Sequence, residues 1–398
     1  MGSIGGSTRV KLLRKDAASS VPFHRVQITR RERAAVNRIL RSGWLTQGPE
    51  CKRLEEELAH FVGVEDMITT SSGTAALHLM LVAHGIGPGD EVLVPTWTFA
   101  STVSTVLQTG ATPRLVDVDP VSLNVTPEII SANIGPSTRA VLVVHFAGVP
   151  VDIEAIRLAV REDLLIFEDA AHALPASTDG RNVGSGSSDA AAFSFYATKT
   201  VTSGEGGALH VRNPQVQERA RRLRLHGMST SAAQRYSGGS WRYDIEERGF
   251  KYNMSDLAAS LARVQLQTSV ERRNQRASIA GRYDTIFAHA PQIEGPYRAP
   301  ASETSWHIYC IRVTSESMAS RDEIIAFLRS RNIGTSVHFI PLHHLTAYRH
   351  LARDRRGTMR HADQQFERVL SLPIWSGMSP RQVDYVGRTL LEATGGNR

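Results

Sequence analysis

The segment Leu164-Leu-Ile-Phe-Glu-Asp-Ala-Ala-His172 predicts a buried strand, because a short apolar run ends abruptly in charged and small residues. Five further runs of this kind occur, with helical patterns between most of them: residues 91–94, 114–118, 140–146, 190–195 and 207–211. Continuous apolar strands separated by helices are typical of a mostly parallel sheet that is covered on both faces. The sequence therefore predicts a large α/β domain built on such a sheet.

The part of the chain after residue 211 predicts a smaller unit. Helical patterns cover residues 214–226 and 255–289, and they are followed by predicted strands at 307–313 and 336–339. Two helices are indicated by a capping box from Ser320 to Glu323 and by Pro380 in a first turn. We therefore expect a loose segment at residues 1–24 and a large α/β domain at 25–253. Residues 254–398 would form a connecting long helix and a small C-terminal α+β domain.

The composition is that of an ordinary globular protein. The chain has 398 residues, a formal net charge of +7, 41% hydrophobic residues and 21% charged residues, which excludes a mostly disordered or collagen-like chain. No apolar run reaches the roughly 18 residues that a membrane helix needs, and the first residues lack the apolar stretch of a signal peptide. Cys51 and Cys310 form no disulfide framework or metal-ligand pattern. These features predict a cytoplasmic protein without a membrane partner.

The positive charge comes almost entirely from arginine, since only five of the 46 basic residues are lysines. The arginines are scattered over the polar sides of helical patterns, and no aromatic residues alternate with them to stack on bases. Solvated helix faces account for this distribution better than a nucleic-acid site does. We therefore predict no nucleic-acid partner.

The stretch Ser71-Ser-Gly-Thr-Ala-Ala-Leu77 is a polar, glycine-containing turn that runs into an amphipathic helix. Free backbone N–H groups and the positive end of the helix dipole make such a turn an anion site, and the Thr74 hydroxyl adds a donor. A plain helix cap by Ser72 or Thr74 is the alternative. The lysine of a Walker A loop is missing, so the turn is not of that type.

Asp169 ends the apolar run of the opening segment, where open α/β sheets bind their ligands. A carboxylate there can hold a protonated ring nitrogen, because each charge favours the ionised form of the other. His172, three residues on, could stack or donate beside it. The alternatives are a helix cap for Asp169 and a structural core histidine for His172.

Lys199 ends the stretch Phe193-Ser-Phe-Tyr-Ala-Thr-Lys199 and is followed by Gly204-Glu-Gly-Gly207. Lysine is rare at the end of a buried apolar strand unless chemistry requires it. Desolvation lowers the pKa of a lysine and exposes the nucleophilic amine that forms a Schiff base. A surface lysine that extends to solvent is the alternative.

These three elements together match the functional groups of pyridoxal phosphate, which has one phosphate, one pyridine nitrogen and one aldehyde. Phe99 follows the predicted strand that ends at Pro95 and offers a flat ring for the pyridine face, although a lone aromatic residue is more often part of the core. The glycine fingerprint of a nicotinamide dehydrogenase is missing, and no metal site is predicted.

The sequence also resembles a known family, the DegT/DnrJ/EryC1/StrS aminotransferases, which are fold type I pyridoxal phosphate enzymes. The resemblance extends from about residue 25 to residue 390, in the family's order. The matching stretches, besides Ser71–Leu77, Phe193–Lys199 and Gly204–Gly207, are residues 42–49, 85–92, 116–120, 168–172, 252–256 and 338–343.

The resemblance implies a role for each candidate residue. Lys199 would be the catalytic Schiff-base lysine, and Asp169 would bind the pyridine nitrogen. Phe99 and His172 would lie on either side of the ring. The phosphate would be held by a group of small and hydroxyl residues, namely Gly73, Thr74 and Ser194.

Two further roles implied by the resemblance concern the edge of the site. Asn253 would reach the phosphate bound by the neighbouring subunit, because family sites are completed across a homodimer interface. His338 would lie near the substrate or the departing amine. His343 and His344 compete for that role, and a structural histidine is the alternative for each of the three.

The expected function is the transfer of an amino group from glutamate or glutamine to a keto sugar, carried on a nucleotide such as dTDP or UDP. Lysine at position 199 favours transamination over dehydration, since relatives that dehydrate replace this lysine with histidine. A deoxysugar dehydratase, a cyclitol aminotransferase and a non-catalytic relative that binds sugar nucleotides remain alternatives. The sequence leaves open the sugar, the carbon that is aminated, the stereochemistry, the donor and the arginines that would meet a diphosphate.

Overall fold

The computed structural model describes residues 20–229, 242–352 and 359–395. Its helices are α1 (Arg30–Ser42), α2 (Pro49–Val62), α3 (Gly73–Ala83), α4 (Ala100–Gln108), α5 (Pro127–Ser131), α6 (Ile153–Ala159), α7 (Pro214–Leu223), α8 (Asp256–Gln267), α9 (Ser269–Phe287), α10 (Arg321–Ser330), α11 (Arg360–Phe366) and α12 (Pro380–Ala393). Its strands are β1 (Ile68–Thr70), β2 (Glu91–Pro95), β3 (Thr112–Val116), β4 (Thr138–Val144), β5 (Leu165–Asp169), β6 (Ser177–Thr178), β7 (Arg181–Asn182), β8 (Ala190–Ser194), β9 (Gly207–Val211), β10 (Ile293–Glu294), β11 (Ser302–Glu303), β12 (Tyr309–Val313) and β13 (Val369–Leu372). Among the described helices, none combines the length and apolar character that crossing a membrane requires.

The central sheet has seven strands in the order β1-β9-β8-β5-β4-β2-β3. The pairs β2–β3, β2–β4, β4–β5 and β5–β8 are parallel, and β9 runs antiparallel to both of its neighbours. The predicted mostly parallel sheet is therefore confirmed. The strand expected at 114–118 begins two residues earlier, at Thr112.

Helices cover both faces of this sheet, as the continuous apolar strands predict. Val92 and Val94 of β2 join the apolar cluster that contains Met80 of α3. The intervening residue, Leu93, faces the opposite side and packs with Ile156 of α6. Alternate residues of one strand thus reach two buried layers.

The parallel strands bring the candidate residues to one edge of the sheet. Asp169 is the last residue of β5 and Ser194 is the last residue of β8, and these two strands are neighbours. Phe99 lies in the loop that follows β2. Ligands of open parallel sheets bind at this carboxyl edge. The fold therefore gathers residues that are far apart in sequence.

A second, antiparallel sheet contains β10, β12 and β13. Its core includes Tyr309 and Leu370, packed with Tyr283 of α9 and Val386 of α12. A third small sheet, of β11, β6 and β7, contains strands from both halves of the chain. The capping boxes at Thr29, Ser320 and Ser379 start α1, α10 and α12.

The strand predicted at residues 336–339 is wrong. Only Ser336 makes a bridge there, with Ser371 of β13. His338 instead bonds to the Ser371 hydroxyl at 2.9 Å, and the Phe339 ring packs on His172. The segment leaves the ladder because its side chains contact the candidate site.

Two expected boundaries also differ from the structure. Residues 1–19 of the predicted loose segment lie outside the described residues, but Val21 is buried and its N–H donates to the Asn332 carbonyl at 2.9 Å. Residues 20–24 are therefore anchored. The single long helix expected at 255–289 is interrupted at Thr268, which separates α8 from α9. The domain division at residue 253 stays a prediction.

Asp256 connects two of the stretches that resemble the family. Its carboxylate accepts the backbone N–H groups of Gly48, Glu50 and Cys51 at 2.8, 3.1 and 3.0 Å. A carboxylate at this position satisfies the free N–H groups of a helix start and complements its dipole. The start of α2 is therefore fixed by the segment that holds Asn253.

Candidate active site

Lys199 lies in the turn that leaves β8. Its backbone N–H donates to the Tyr196 carbonyl at 2.9 Å, and the Phe195 N–H donates to the Gly206 carbonyl at 2.8 Å. These bonds hold the turn against the glycine segment that returns to β9. Burial lowers the pKa of the Lys199 ammonium to about 8, while the negative charge of Asp169 acts in the opposite direction. This lysine is therefore an amine that loses its proton close to neutral pH.

Asp169 is buried at the end of β5 and has two hydrogen-bond donors. The Thr102 hydroxyl of α4 donates to Oδ2 at 2.8 Å, and the Ala171 N–H donates to Oδ1 at 3.2 Å. Burial raises the pKa of the Asp169 carboxyl, and the Thr102 hydrogen bond opposes that shift. A cationic ring nitrogen opposite this group would favour its ionised form.

Glu168, next to Asp169, is held by buried hydrogen-bond partners. Its Oε2 is 2.7 Å from Nε2 of His145, and Ser188 donates to its other oxygen. His145 Nδ1 accepts the N–H of Val151 at 3.0 Å, so Nε2 carries the proton that is donated to Glu168. Glu168 is therefore occupied by buried partners, and Asp169 is the carboxylate at the edge of the sheet.

Phe99 and His172 both lie close to Phe339. The Phe99 ring is 6.2 Å from the Phe339 ring, and the His172 ring stacks on Phe339 at 5.7 Å with an interplanar angle of 25°. Phe99 is 62% exposed, unlike a core aromatic residue. His172 is buried, and its Nδ1 has no hydrogen-bond partner among the described residues.

The start of α3 forms a close-packed polar corner with the end of β8. The Ser72 hydroxyl caps the helix by accepting the Ala75 N–H at 3.1 Å, which confirms the capping alternative for Ser72. The N–H groups of Gly73 and Thr74 precede the hydrogen-bond ladder of the helix itself. A Cβ added at Gly73 would lie 2.7 Å from Cβ of Ser194. Only glycine allows this contact, and the corner presents two N–H groups and two hydroxyls.

Asn253 lies close to this corner of its own chain. The carbonyl of the preceding residue, Tyr252, accepts the Ser71 N–H at 2.7 Å. The Asn253 side chain accepts a hydrogen bond of 2.5 Å from Nζ of Lys251. The structure thus brings an amide and a second lysine beside the start of the Ser71–Leu77 turn.

His338 is coupled electrostatically to Lys199. Burial, together with the Lys199 charge, lowers the pKa of the His338 imidazole to about 4. Its ring stacks on Phe23 at 5.6 Å. The competing residues His343 and His344 make hydrogen bonds to Asp363 instead.

Three contributors to the site were not found by sequence reasoning. Thr102 donates to Asp169, and its position one turn after Phe99 in α4 is the only signal for it. The His307 ring lies 4.3 Å from that of His172. His24 Nε2 is 3.0 Å from the carbonyl of Ala197, in the lysine turn.

These histidines share one electrostatic property. Burial and the charge of Lys199 hold the pKa of His172 and of His307 well below the ordinary range. Burial, Arg276 and Lys199 lower the pKa of His24 to about 4. The imidazoles are therefore neutral at pH 7, and Lys199 is the basic group of the site with a pKa near neutrality.

Comparison with known families agrees with this geometry. A model of the DegT/DnrJ/EryC1/StrS aminotransferase family matches residues 26–391. The chain belongs to this family. The match covers the central sheet, the candidate site and the C-terminal sheet.

Individual relatives support the same conclusion. The spore coat polysaccharide biosynthesis protein SpsC of Bacillus subtilis (strain 168) is 42% identical over 371 residues, which cover 92% of this chain and 95% of SpsC. The pyridoxal phosphate form of Spr1654 from Streptococcus pneumoniae superposes with a TM-score of 0.87 at 32% identity, covering 94% of this chain and 99% of that one. The sugar aminotransferase CalS13 from Micromonospora echinospora gives a TM-score of 0.84 at 27% identity, with the same coverage. The chain has the fold of the type I pyridoxal phosphate enzymes.

The site residues fit pyridoxal phosphate. The corner at Gly73 and Ser194 suits a phosphate, the buried Asp169 suits a ring nitrogen, and Lys199 supplies an amine for the aldehyde. Nδ1 of His172 is buried without a hydrogen-bond partner among the described residues, so a bound group could pair with it. The chain is therefore a pyridoxal phosphate-dependent aminotransferase of a sugar aminotransferase family.

Proposed function

We propose that this aminotransferase moves an amino group from glutamate or glutamine to the keto carbon of a nucleotide-linked sugar. The observation that carries the catalytic part is the pairing of Lys199 with Asp169 at one edge of the sheet. Of the described site residues, Lys199 has the pKa best placed for proton transfer at neutral pH. The sugar substrate is proposed from the family and from relatives such as CalS13.

Two groups of residues would hold the phosphate and the ring of the cofactor. Gly73, Thr74 and Ser194 would bind the phosphate with backbone N–H groups and hydroxyls. Phe99 and His172 would enclose the ring, as the resemblance to the family implies, and both side chains lie close to Phe339. When bound, pyridoxal phosphate supplies an electron sink for the carbon that loses its proton.

Lys199 would move the proton in both halves of the reaction. Its Nζ would take the proton from the α-carbon of the amino acid donor in the first half. In the second half it would deliver a proton to the former keto carbon of the sugar, which then carries the amino group. The donor leaves as a keto acid and the sugar leaves as an amine, so the exchange needs no other oxidant or reductant. Asp169, held by Thr102, would keep the ring nitrogen protonated throughout.

His338 would face the substrate. Its pKa of about 4 keeps the imidazole neutral at pH 7, so it can accept or donate a hydrogen bond without adding positive charge beside Lys199. Ser371 fixes the ring through Nδ1. A cytoplasmic location, where the sugar would be aminated, is part of the same proposal.

The substrate is tested by incubating the holoenzyme with dTDP- and UDP-linked keto sugars and either glutamate or glutamine. Mass spectrometry should detect the amino sugar and one equivalent of keto acid for each amine formed. Lys199→Ala serves as the control and should form no amine. Amination of simple keto acids alone would contradict the sugar part, and consumption of sugar without the donor would favour a dehydratase.

We further propose that the active enzyme is a homodimer in which Asn253 reaches the phosphate bound by its neighbour. The test is to mix Lys199→Ala chains with Asn253→Ala chains and allow subunits to exchange. If sites are shared, one site of each hybrid carries both defects and the other carries none, so activity returns. If Asn253 serves its own chain, both hybrid sites are damaged and activity stays at the level of the parents. An active monomer would also contradict the proposal.

A further inference from the structure

A cluster of metal-binding side chains lies outside the proposed cofactor site. His343, His344 and Asp363 place one ligand atom each within 4.8 Å of the others. Nε2 of His343 is 2.8 Å, and Nε2 of His344 is 2.7 Å, from the same oxygen of Asp363. Ligand atoms bound to one zinc ion lie roughly 3 Å apart, because each is about 2.0–2.1 Å from the metal. The two imidazoles and the carboxylate therefore already converge on one point.

The histidine side of the cluster is anchored to the large sheet. His343 and His344 belong to the short turn Leu342–His344, and the N–H of Leu342 donates to the Thr96 carbonyl at 2.8 Å. The Thr96 hydroxyl is also 2.7 Å from Nδ1 of His343. Metal-bound histidines usually have such a partner on the second ring nitrogen, which fixes the orientation of the ring.

The helix that carries Asp363 is also held against the large sheet. Asp363 lies on α11, and the first turn of that helix is held by Asp117, which follows β3. The Asp117 carboxylate accepts the N–H groups of His361 and Ala362 at 2.8 and 3.0 Å. Because β2 and β3 are neighbouring strands, Thr96 and Asp117 connect the histidines and Asp363 to the same part of the large sheet.

The charge and exposure of the cluster favour a cation. Asp363 supplies a carboxylate, and one of its oxygens lies within 2.8 Å of a ring nitrogen of each imidazole. The side chains of His344 and Asp363 are 34% and 51% exposed, so an ion can enter and keep water in its remaining positions. Water can hydrate a carboxylate that is this exposed, so its hydrogen-bonding capacity does not require two histidine partners.

We propose that His343, His344 and Asp363 form a binding site for a divalent transition-metal ion of the zinc class. Imidazole nitrogen combined with carboxylate oxygen is a ligand set that suits zinc, copper, nickel and iron and disfavours magnesium or calcium. The ion would join the turn that follows His338 to α11 and, through Thr96, to the strand that leads to Phe99.

Equilibrium dialysis of the chelator-treated holoenzyme against micromolar zinc, with zinc counted by mass spectrometry, tests the site. Wild type should bind one zinc per chain. His344→Leu and Asp363→Asn should each weaken binding by at least about tenfold, and Thr96→Val by roughly tenfold through the outer partner. His289→Leu is the matched control, because it removes an exposed histidine that is not part of the cluster. This variant should bind one zinc per chain, as wild type does.

Two results would overturn the proposal. One is wild-type protein that takes up less than one zinc per chain under these conditions, a result that needs no variant to interpret. The other is binding that survives unchanged in both His344→Leu and Asp363→Asn, which would place the zinc elsewhere, for example on the cofactor. Circular dichroism of each variant shows whether it has folded.

Discussion

The Thr102 hydroxyl donates a hydrogen bond of 2.8 Å to Oδ2 of Asp169. This bond links the helix that follows Phe99 to the carboxylate proposed to face the cofactor ring. Thr98 supports it, because its hydroxyl lies 2.8 Å from that of Thr102 and can donate to it. A chain of two hydroxyls therefore stabilises the ionised form of a buried acid.

Thr102→Val should lower kcat by about ten- to a hundredfold, since a hydrogen bond to a charged group is worth about 1.5–3 kcal/mol. Without this bond the pKa of Asp169 rises further, so activity should be lost at a higher pH on the acid side. The measurement is a pH profile of kcat. Thr105→Val is the control, because the Thr105 hydroxyl on the same helix donates to the Thr102 carbonyl instead of to Asp169. An unchanged acid limb in Thr102→Val would contradict this positioning role.

The nucleophilicity of Lys199 should follow the pKa of its ammonium, about 8. In apoenzyme, reductive methylation of Lys199 should become about tenfold slower for each pH unit below that value, because only the free amine reacts. Peptide mapping after short reaction times at several pH values gives the rates, with the exposed Lys52 as an internal reference.

Asp169→Asn tests the direction in which Asp169 shifts the pKa of Lys199. The carboxylate raises the pKa of Lys199, so its removal should move the inflection to lower pH. The reaction of Lys52 should not change between the two proteins. An inflection that stays where it is would show that Asp169 and Lys199 are not coupled, and one that moves upwards would contradict the sign of the coupling.

Gly73→Ala should weaken retention of pyridoxal phosphate by roughly ten- to a hundredfold, because the new Cβ would lie 2.7 Å from Cβ of Ser194 and overpacking costs about 1–3 kcal/mol. Fluorescence titration of apoenzyme with the cofactor measures the change. Gly281→Ala is the matched control, since a Cβ at Gly281 meets no atom within 4 Å. Equal affinities for pyridoxal phosphate in the two variants would show that Gly73 does not contribute to phosphate binding.

Glu32→Gln should reduce the free energy of unfolding of the apoenzyme by about 3 kcal/mol, because it breaks a buried ion pair but keeps the shape of the side chain. Glu32 Oε1 is 2.8 Å from Arg272, and both side chains are at most 7% exposed. Glu56→Gln removes an exposed carboxylate, 3.9 Å from Lys52, and should change the free energy by less than about 1 kcal/mol. Chemical denaturation gives both values.

The effect of Glu32→Gln should depend on pH. Although burial alone would raise it, the pKa of Glu32 lies below its ordinary value because of hydrogen bonds at Thr29 and the charge of Arg272. A lowered pKa gives stability that is present above the unfolded pKa and lost as pH falls through the folded one. The difference between wild type and Glu32→Gln should therefore shrink as the pH falls below about 4. A difference that grows with acidity would contradict the ion-pair account.

The parts of the structure that local pattern determines could be predicted from the sequence. The strand that ends at Asp169 and the turn that holds Lys199 follow from short apolar runs and the residues that end them. The capping boxes at Thr29 and Ser320 follow from pairs three residues apart. In each case the deciding contacts lie within a few residues of one another.

The rest depended on contacts between distant segments. Thr102 bonds to a residue 67 positions away, and its only local signal is its position one turn after Phe99. His307 lies beside His172 only because the C-terminal half folds back onto the large sheet. The predicted strand at 336–339 failed for the same reason, since His338 and Phe339 are held by partners that their own sequence does not reveal.

The amine of Lys199, opposite Asp169, is the group that we propose bonds to pyridoxal phosphate. Borohydride reduction of the holoenzyme, followed by peptide mapping, identifies the bonded residue. One pyridoxyl group per chain should be found, and Lys199 should carry it. Label on any of the other four lysines, or on none, would contradict it.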